Sequence, residues 1–381
     1  MRIAILLLNK GRGSGEVARE HVRHLLKQGH TVYLLYPGNK NSVPGAFNID
    51  VPLPASITPV HEYLPSAGND QKQVARMSFE EMAPYLTAYE SAIENIADEV
   101  DIFIGHHANL SAVAVYHVAK KFNKPYVLFL HGTGIEPRHE GLWDDQNWQL
   151  IEQAVVEASG LLVTTEYVRD ELVKPLIPLP DERFFVLPCG VDLHDFHPDN
   201  IEGIKEKFNL PKRYVICPGA LTPSKGPQNV ALASKEYAHI AKTVFIGDGE
   251  MRDELMNQLG DRGLFLGYVS AEDKAKLINA AEILTAAPVK KEHFGIIYAE
   301  ALAGGTPVVA YDGGGVGSIV TPDVGFLTER SPGILGKKIA YLLENPGLES
   351  KMSIAGRKRA EENYDYNKLV RQLVEWLEGF M

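Results

Sequence analysis

A chain of 381 residues, 45% hydrophobic and 23% charged, has material for two domains or one large one. Its net charge of −11 is uneven, with 16 basic against 26 acidic residues in positions 1–200, and an acidic first half argues against nucleic acid and against strong docking to anionic lipid. The longest apolar runs, such as Ile3 to Leu8, fall far short of the roughly 20 residues a membrane span needs, so no transmembrane segment is expected while peripheral membrane contact stays open.

The chain opens directly on an apolar strand, residues 2–8, without the pattern of a signal peptide, so a cytoplasmic location is expected. The loop Gly11-Arg12-Gly13-Ser14-Gly15 follows, then a helix with Val17, Val22, Leu25 and Leu26 on one face, then a strand over 31–36. This is the opening of a parallel sheet, with the glycine loop at the carboxyl end of the first strand. The loop is not G-x-G-x-x-G and no acidic residue closes the second strand, so the fingerprint of a dehydrogenase is missing. Gly13 and its neighbours either offer amides to a phosphate or acceptor, or make a plain strand-to-helix turn.

Residues 37–75 give only short extended pieces. Met82, Leu86, Ile93 and Ile96 space an amphipathic helix over 78–99. Strands at 101–105 and 125–130, with a helix over 112–122 between them, end in His106-His107 and in His131-Gly132. A further strand at 161–165 delivers Glu166. Strand ends of open α/β sheets are where ligand contacts fall, which makes His131 the first candidate for chemistry. A capping role is its structural alternative. His106, His107 and Glu166 are candidates for an acceptor pocket. Cys189 and Cys217 stand apart with no metal or disulfide spacing, and no other metal motif appears.

The segment FVLPCGVDLHDFHP, 185–198, followed by the polar run 199–213, marks a domain boundary, set at 195/196. The strand, loop, helix rhythm then restarts, with strands at 214–217, 243–246, 264–266 and 282–286. In EHFGIIYAE, 292–300, Gly295 ends a loop and opens a helix. The amides of Gly295, Ile296 and Ile297 are then first-turn donors at a positive dipole end, an anion site beside Phe294. Glu300 lies roughly 7.5 Å further along the helix at about 1.5 Å per residue, and Glu292 stays in the loop on the other side. Two carboxylates so placed reach hydroxyls on either side of a diphosphate. An isolated pair at this spacing is otherwise a solvated helix face; the Gly304-Gly305 stop, the VVAY strand and the loop Gly313 to Gly315 that follow make it part of one αβ unit. Helices over 333–345, 349–362 and 366–380 finish the chain.

These residues resemble the family 4 (GT4) glycosyltransferases of the GT-B fold. Glu292 and Glu300 match the family's E-x7-E motif. Pro188, Gly190, Val191, Asp192, Phe196 and Pro198 match its segment between domains; Lys225 and Gly226 match the end of G-R-L-x-x-x-K-G; Gly247 to Gly249 match its G-D-G turn. The resemblance implies an α/β architecture of two Rossmann-like parallel-sheet domains facing a central cleft. The first, over 1–195, would be the acceptor side and the second, over 196–365, the donor side. In the family the terminal helix, 366–381, returns to the first domain; from the residues alone it could equally cap the second.

The activity implied is retaining transfer of a hexosyl group from a nucleotide diphosphate sugar, UDP by family frequency, to a hydroxyl of a glycan, lipid-linked or small-molecule acceptor. The family route needs no metal or other cofactor, and the departing phosphate takes the acceptor proton. By resemblance, Lys225 neutralises the diphosphate, Glu300 holds ribose hydroxyls, Glu292 holds sugar hydroxyls and His131 meets sugar and phosphate from the opposite domain. Gly13, Gly219, Gly226, Phe294, Gly295, Ile296 and Ile297 complete the donor site, and domain closure on the donor is expected. Ala220 departs from the family arginine and Ser318 from a frequent glutamate. Arg12 and Arg138 are candidate substitutes for the lost cation. That loss keeps a non-catalytic nucleotide-sugar binder in view, beside an epimerase or hydrolase of the same architecture.

Overall fold

Short apolar runs rich in valine, isoleucine and leucine become strands buried on both faces, as a parallel sheet covered by helices requires. The computed structural model describes residues 1–11, 13–63 and 70–381. Arg12, one of the substitute cations, lies outside the described residues. The chain divides into two compact units, Met1–Pro188 joined by Tyr366–Met381, and Cys189–Asp365. The division falls inside the proline- and glycine-bracketed segment.

In unit 1 the strands are β1 (Arg2–Leu6), β2 (Thr31–Tyr36), β3 (Phe47–Asp50), β4 (Thr58–Val60), β5 (Gln71–Gln73), β6 (Ile102–His106), β7 (Tyr126–Leu130), β8 (Gly160–Val163) and β9 (Phe184–Val186). Seven of them form one sheet in the order β3-β2-β1-β6-β7-β8-β9, and β4 pairs with β5. The pairing is parallel, with Ile3 opposite Val32 on one side and Ile102 on the other. Chain order reverses beside β1, which creates a crevice at the carboxyl ends of β1 and β6. Helices Phe79–Glu94, Leu110–Lys121 and Asp145–Glu157 pack Met82, Tyr89, Val113 and Ile151 into a core with Ala4, Leu6 and Phe103. Ser78 and Glu81 start the first of these with a capping box. It ends at Glu94, earlier than its periodicity predicts, and a separate turn covers Ala97–Glu99. The Asp145–Glu157 helix, capped by Asp144, has no counterpart in the sequence reading.

The terminal helix, Tyr366–Glu378, packs beside the Gly13–Lys27 helix in unit 1, with Trp376 stacked on Phe185 at 5.3 Å. Its buried stripe of Leu369, Val370, Leu373, Val374 and Leu377 is worth about 2 kcal/mol per side chain.

Unit 2 holds β10 (Tyr214–Pro218), β11 (Lys242–Ile246), β12 (Gly263–Phe265), β13 (Ile283–Ala286), β14 (Val308–Tyr311) and β15 (Gly325–Thr328). They form a second parallel sheet in the order β12-β11-β10-β13-β14-β15. Its switch in chain order lies between β10 and β13, so the loops after those two strands border a crevice. Among the described residues no helix is long and apolar enough to cross a membrane.

Candidate functional site

The crevice of unit 2 contains a pocket of about 240 Å³, lined by Gly219, Ala220 and Lys225 after β10 and by Pro288, Glu292, Gly295, Ile296 and Ile297 after β13. Hydrogen bonds join the two segments: Val289 N donates to Ser224 O at 3.0 Å, and the side-chain Nδ2 of Asn229, on the helix that follows, donates to Ala287 O at 3.0 Å. Gly226 makes this close approach feasible: its φ is +68°, and a Cβ there would sit 1.9 Å from Ala287 O. Gly295, at φ +92°, caps the helix Ile296–Ala303; the Gly295 carbonyl takes the amide of Tyr298 at 3.0 Å, which leaves the amides of Ile296 and Ile297 without an intrahelical acceptor among the described residues. The pocket therefore meets the positive end of a helix, as an anion requires.

Among the described residues that line it, Lys225 is the cation; Ala220 adds none. Lys225 Nζ donates to Glu292 Oε1 at 3.0 Å, and both side chains are partly exposed. Glu292 is fixed through its backbone, because Gly315 N donates to its carbonyl at 2.7 Å.

Glu300 lies outside this lining. It is buried on the helix, with Oε1 accepting from Lys274 Nζ at 2.6 Å and Oε2 without a hydrogen-bond partner among the described residues. Burial pushes its carboxyl up from the ordinary range, against the pull of the lysine. Phe294 is also off the lining, buried edge-on to Tyr364 at 6.0 Å. Lys274 carries no local sequence signal, since it stands 26 positions from its partner.

In unit 1, His106, His107 and His131 come together at the ends of β6 and β7, all buried. His106 Nδ1 and His131 Nε2 share a hydrogen bond of 2.9 Å, and His131 stacks on Phe129 at 4.0 Å. Burial pulls the His106 imidazole down to about 3, so it is neutral at ordinary pH. His107 has φ +69° and bonds through Nε2 to Ser14 Oγ at 2.9 Å and through Nδ1 to Thr133 Oγ1 at 3.0 Å. It thereby ties the start of the helix after β1 to the histidine group. Gly13 is the first residue of the following helix, with open space where a side chain would be. Glu166 stands apart, largely exposed and 3.7 Å from Arg169. Arg138 is held by Asp145 at 2.8 Å and lies over the Trp148 ring.

Asp192, His194 and Asp195 are a group the sequence reading passed over, with potential ligand atoms within 4.8 Å of one another and all three residues exposed. The Asp192 carboxylate caps its own turn by accepting from the amides of His194 and Asp195. Cys189 and Cys217 are free and buried, which pushes both thiols up to about 12.

Known proteins share this layout. Glycosyltransferase Family 4 matches residues 11–195, and glycosyl transferases group 1 matches residues 200–359. An uncharacterized glycosyltransferase of Methanocaldococcus jannaschii is 28% identical over 269 residues, 66% of this chain and 68% of that protein. A D-inositol 3-phosphate glycosyltransferase of Xylanimonas cellulosilytica is 27% identical over 293 residues, 71% of this chain and 70% of that one. Anabaena HepE, solved with UDP and glucose, superposes over 100% of both chains with a TM-score of 0.74 at 20% identity. The two family matches run in succession over most of the chain and agree with its two parallel-sheet units, so the protein belongs to the family 4 glycosyltransferases of the GT-B fold.

Proposed function

We propose that the enzyme transfers a hexosyl group, with retention, from a nucleotide diphosphate sugar to an acceptor hydroxyl. The observation that carries the donor assignment is the convergence of Lys225 and a helix amino terminus on one pocket at the switch point of unit 2. In this reading the diphosphate rests on the amides of Gly295 to Ile297 and on Lys225, beside Gly219, with Gly226 closing the two loops behind it. Glu292 takes sugar hydroxyls and Glu300 takes ribose hydroxyls. His131, oriented by neutral His106, is assigned the contact to sugar and phosphate, with Gly13 and His107 nearby in unit 1 and the acceptor met by residues of that unit. Lysine and helix amides neutralise the leaving diphosphate without a metal, and the departing phosphate oxygen takes the acceptor proton. No carboxylate in the pocket is needed as a glycosyl nucleophile.

UDP is favoured as the nucleotide by the UDP-bound structure of HepE. The resemblance to an inositol phosphate glycosyltransferase adds a small polar acceptor to the glycan and lipid-linked classes. Calorimetric titration with UDP, GDP, ADP and their glucose conjugates, without added metal, tests the donor site. One nucleotide is expected to saturate, and Lys225→Ala to weaken it roughly 10- to 100-fold, the value of a charge-assisted bond of about 1.5–3 kcal/mol. Binding of none of them would sink the reading and leave a fold that has lost its donor site with the arginine replaced by Ala220. Donor turnover that needs no acceptor would point instead to an epimerase or hydrolase.

A further inference from the structure

Glu300 is a buried carboxylate with one oxygen held and one without a protein partner, an arrangement that defines what its neighbour must do. Its Oε1 accepts from Lys274 Nζ at 2.6 Å, while Oε2 is buried and unpartnered among the described residues. Lys274 arises from the neighbouring helix Ala271–Asn279, which Ser270 caps, and its ammonium lies 5.6 Å above the Phe196 ring. It is about one-third exposed and Glu300 much less, so the charge of the pair is anchored from the solvent side. An unpaired carboxylate in this position would take up a proton rather than stay charged.

We propose that Lys274 is a positioning residue for the donor site: it holds Glu300 ionised and turned, so that the free oxygen accepts a ribose hydroxyl of the nucleotide. The proposal rests on the ribose assignment made for Glu300 above. A protonated Glu300 would spend one oxygen as a donor and lose the charge that strengthens the bond to a hydroxyl.

The other groups near this helix do not compete for the role. The Pro346–Asn363 helix packed against it carries Arg357, which is committed to the carbonyls of Leu193, Phe196 and Ala303 and to Glu361. On the Lys274 helix itself, Asp273 is paired with Lys207 at 2.7 Å and Lys276 with Glu272 at 2.8 Å. Burial raises the Glu300 carboxyl, and Lys274 is the charged group that opposes it. Without the lysine that opposition is gone.

The test is a calorimetric titration across about pH 6 to 9, a range below the ordinary lysine pKa. The probe is whichever of UDP, GDP and ADP the wild type binds, together with its 2′,3′-dideoxy analogue. The wild type is expected to prefer the ribonucleotide at every pH. In Lys274→Met that preference should fall as pH falls, by up to about tenfold per unit where Glu300 takes its proton, and recover at high pH. Lys274→Arg should restore the flat profile, and Lys274→Gln replaces the methionine variant if that one does not fold. A lysine that only supported the fold would weaken both ligands equally at all pH values, and that result overturns the proposal. A wild type that binds the two analogues equally overturns the ribose assignment itself, and the role of Lys274 falls with it.

Discussion

Lys225 and Glu292 meet at 3.0 Å in a pocket suited to an anion. A partly exposed pair of this kind is worth only about 0–1 kcal/mol, because water screens it and two side chains must be fixed. In the proposed donor complex a diphosphate would bring more charge to the same ammonium and displace the glutamate at little cost. The glutamate that is pushed aside is the one assigned to the sugar. Two effects should therefore separate in Glu292→Gln. A bare nucleoside diphosphate loses a competitor and a repelling charge, and is expected to bind up to about fivefold more tightly, equivalent to about 1 kcal/mol. Sugar transfer should drop sharply at the same time. Calorimetry and a transfer assay on the one variant check both, and weaker nucleotide binding would mean that Glu292 supports the phosphate site rather than competing for it.

At the scale of the loops, the pocket depends on two backbones lying almost in contact at Gly226 and Ala287. Gly226→Ala must place a Cβ into that carbonyl and hold alanine in the left-handed region, which alone costs about 1–2 kcal/mol. A Tm lower by about 5–10 °C and loss of nucleotide binding are expected in a domain of this size. Gly317→Ala, with open space at its Cβ, should change neither, and thermal-shift curves with and without nucleotide compare the two. This loop pair also marks how far the sequence could be read. Gly295 and Glu292 sit in a short segment where glycine, proline and an apolar run reveal a turn into a helix, whereas Lys225 and Gly226 were placed beside them only by the family resemblance. The unlocated parts are those fixed by contacts distant in sequence. Lys274 reaches Glu300 across 26 positions, and the Ser14 link to His107 crosses 93. Glu300 is buried on its helix beside Lys274 and outside the lining of the pocket, which its spacing from Glu292 alone could not reveal. The Asp145–Glu157 helix escaped notice because only Trp148, Ile151, Ala154 and Val155 mark its inner face, without the longer apolar repeat of its neighbours.

Over the whole molecule, the fully buried histidines lie in unit 1 and make that unit the more sensitive to acid. His21 and His106 in unit 1 are buried and neutral, and burial lowers them to about 4 and about 3. In the unfolded chain both titrate near 6.5. Below that value the unfolded state takes up protons that the folded state refuses. The stability these groups supply is thus complete above about pH 6.5 and is lost as pH falls toward their folded values, by about 1.4 kcal/mol per unit for each histidine. In unit 2 burial raises the carboxyls of Glu282, Glu300 and Glu349 above the ordinary range, while hydrogen bonds lower Glu272, Asp273 and Asp323. At the three raised carboxyls the folded state binds protons first, so acidification through that window favours it. All three tryptophans, Trp143, Trp148 and Trp376, belong to unit 1, so their fluorescence reports that unit alone. Acid titration is expected to red-shift the emission at a higher pH than the loss of most far-ultraviolet ellipticity, which unit 2 shares. His21→Phe, which keeps a ring against Phe129, should move the fluorescence midpoint to lower pH and leave the later step in place. If fluorescence and ellipticity fell together and ignored that substitution, the buried histidines would not be what makes unit 1 the acid-labile half.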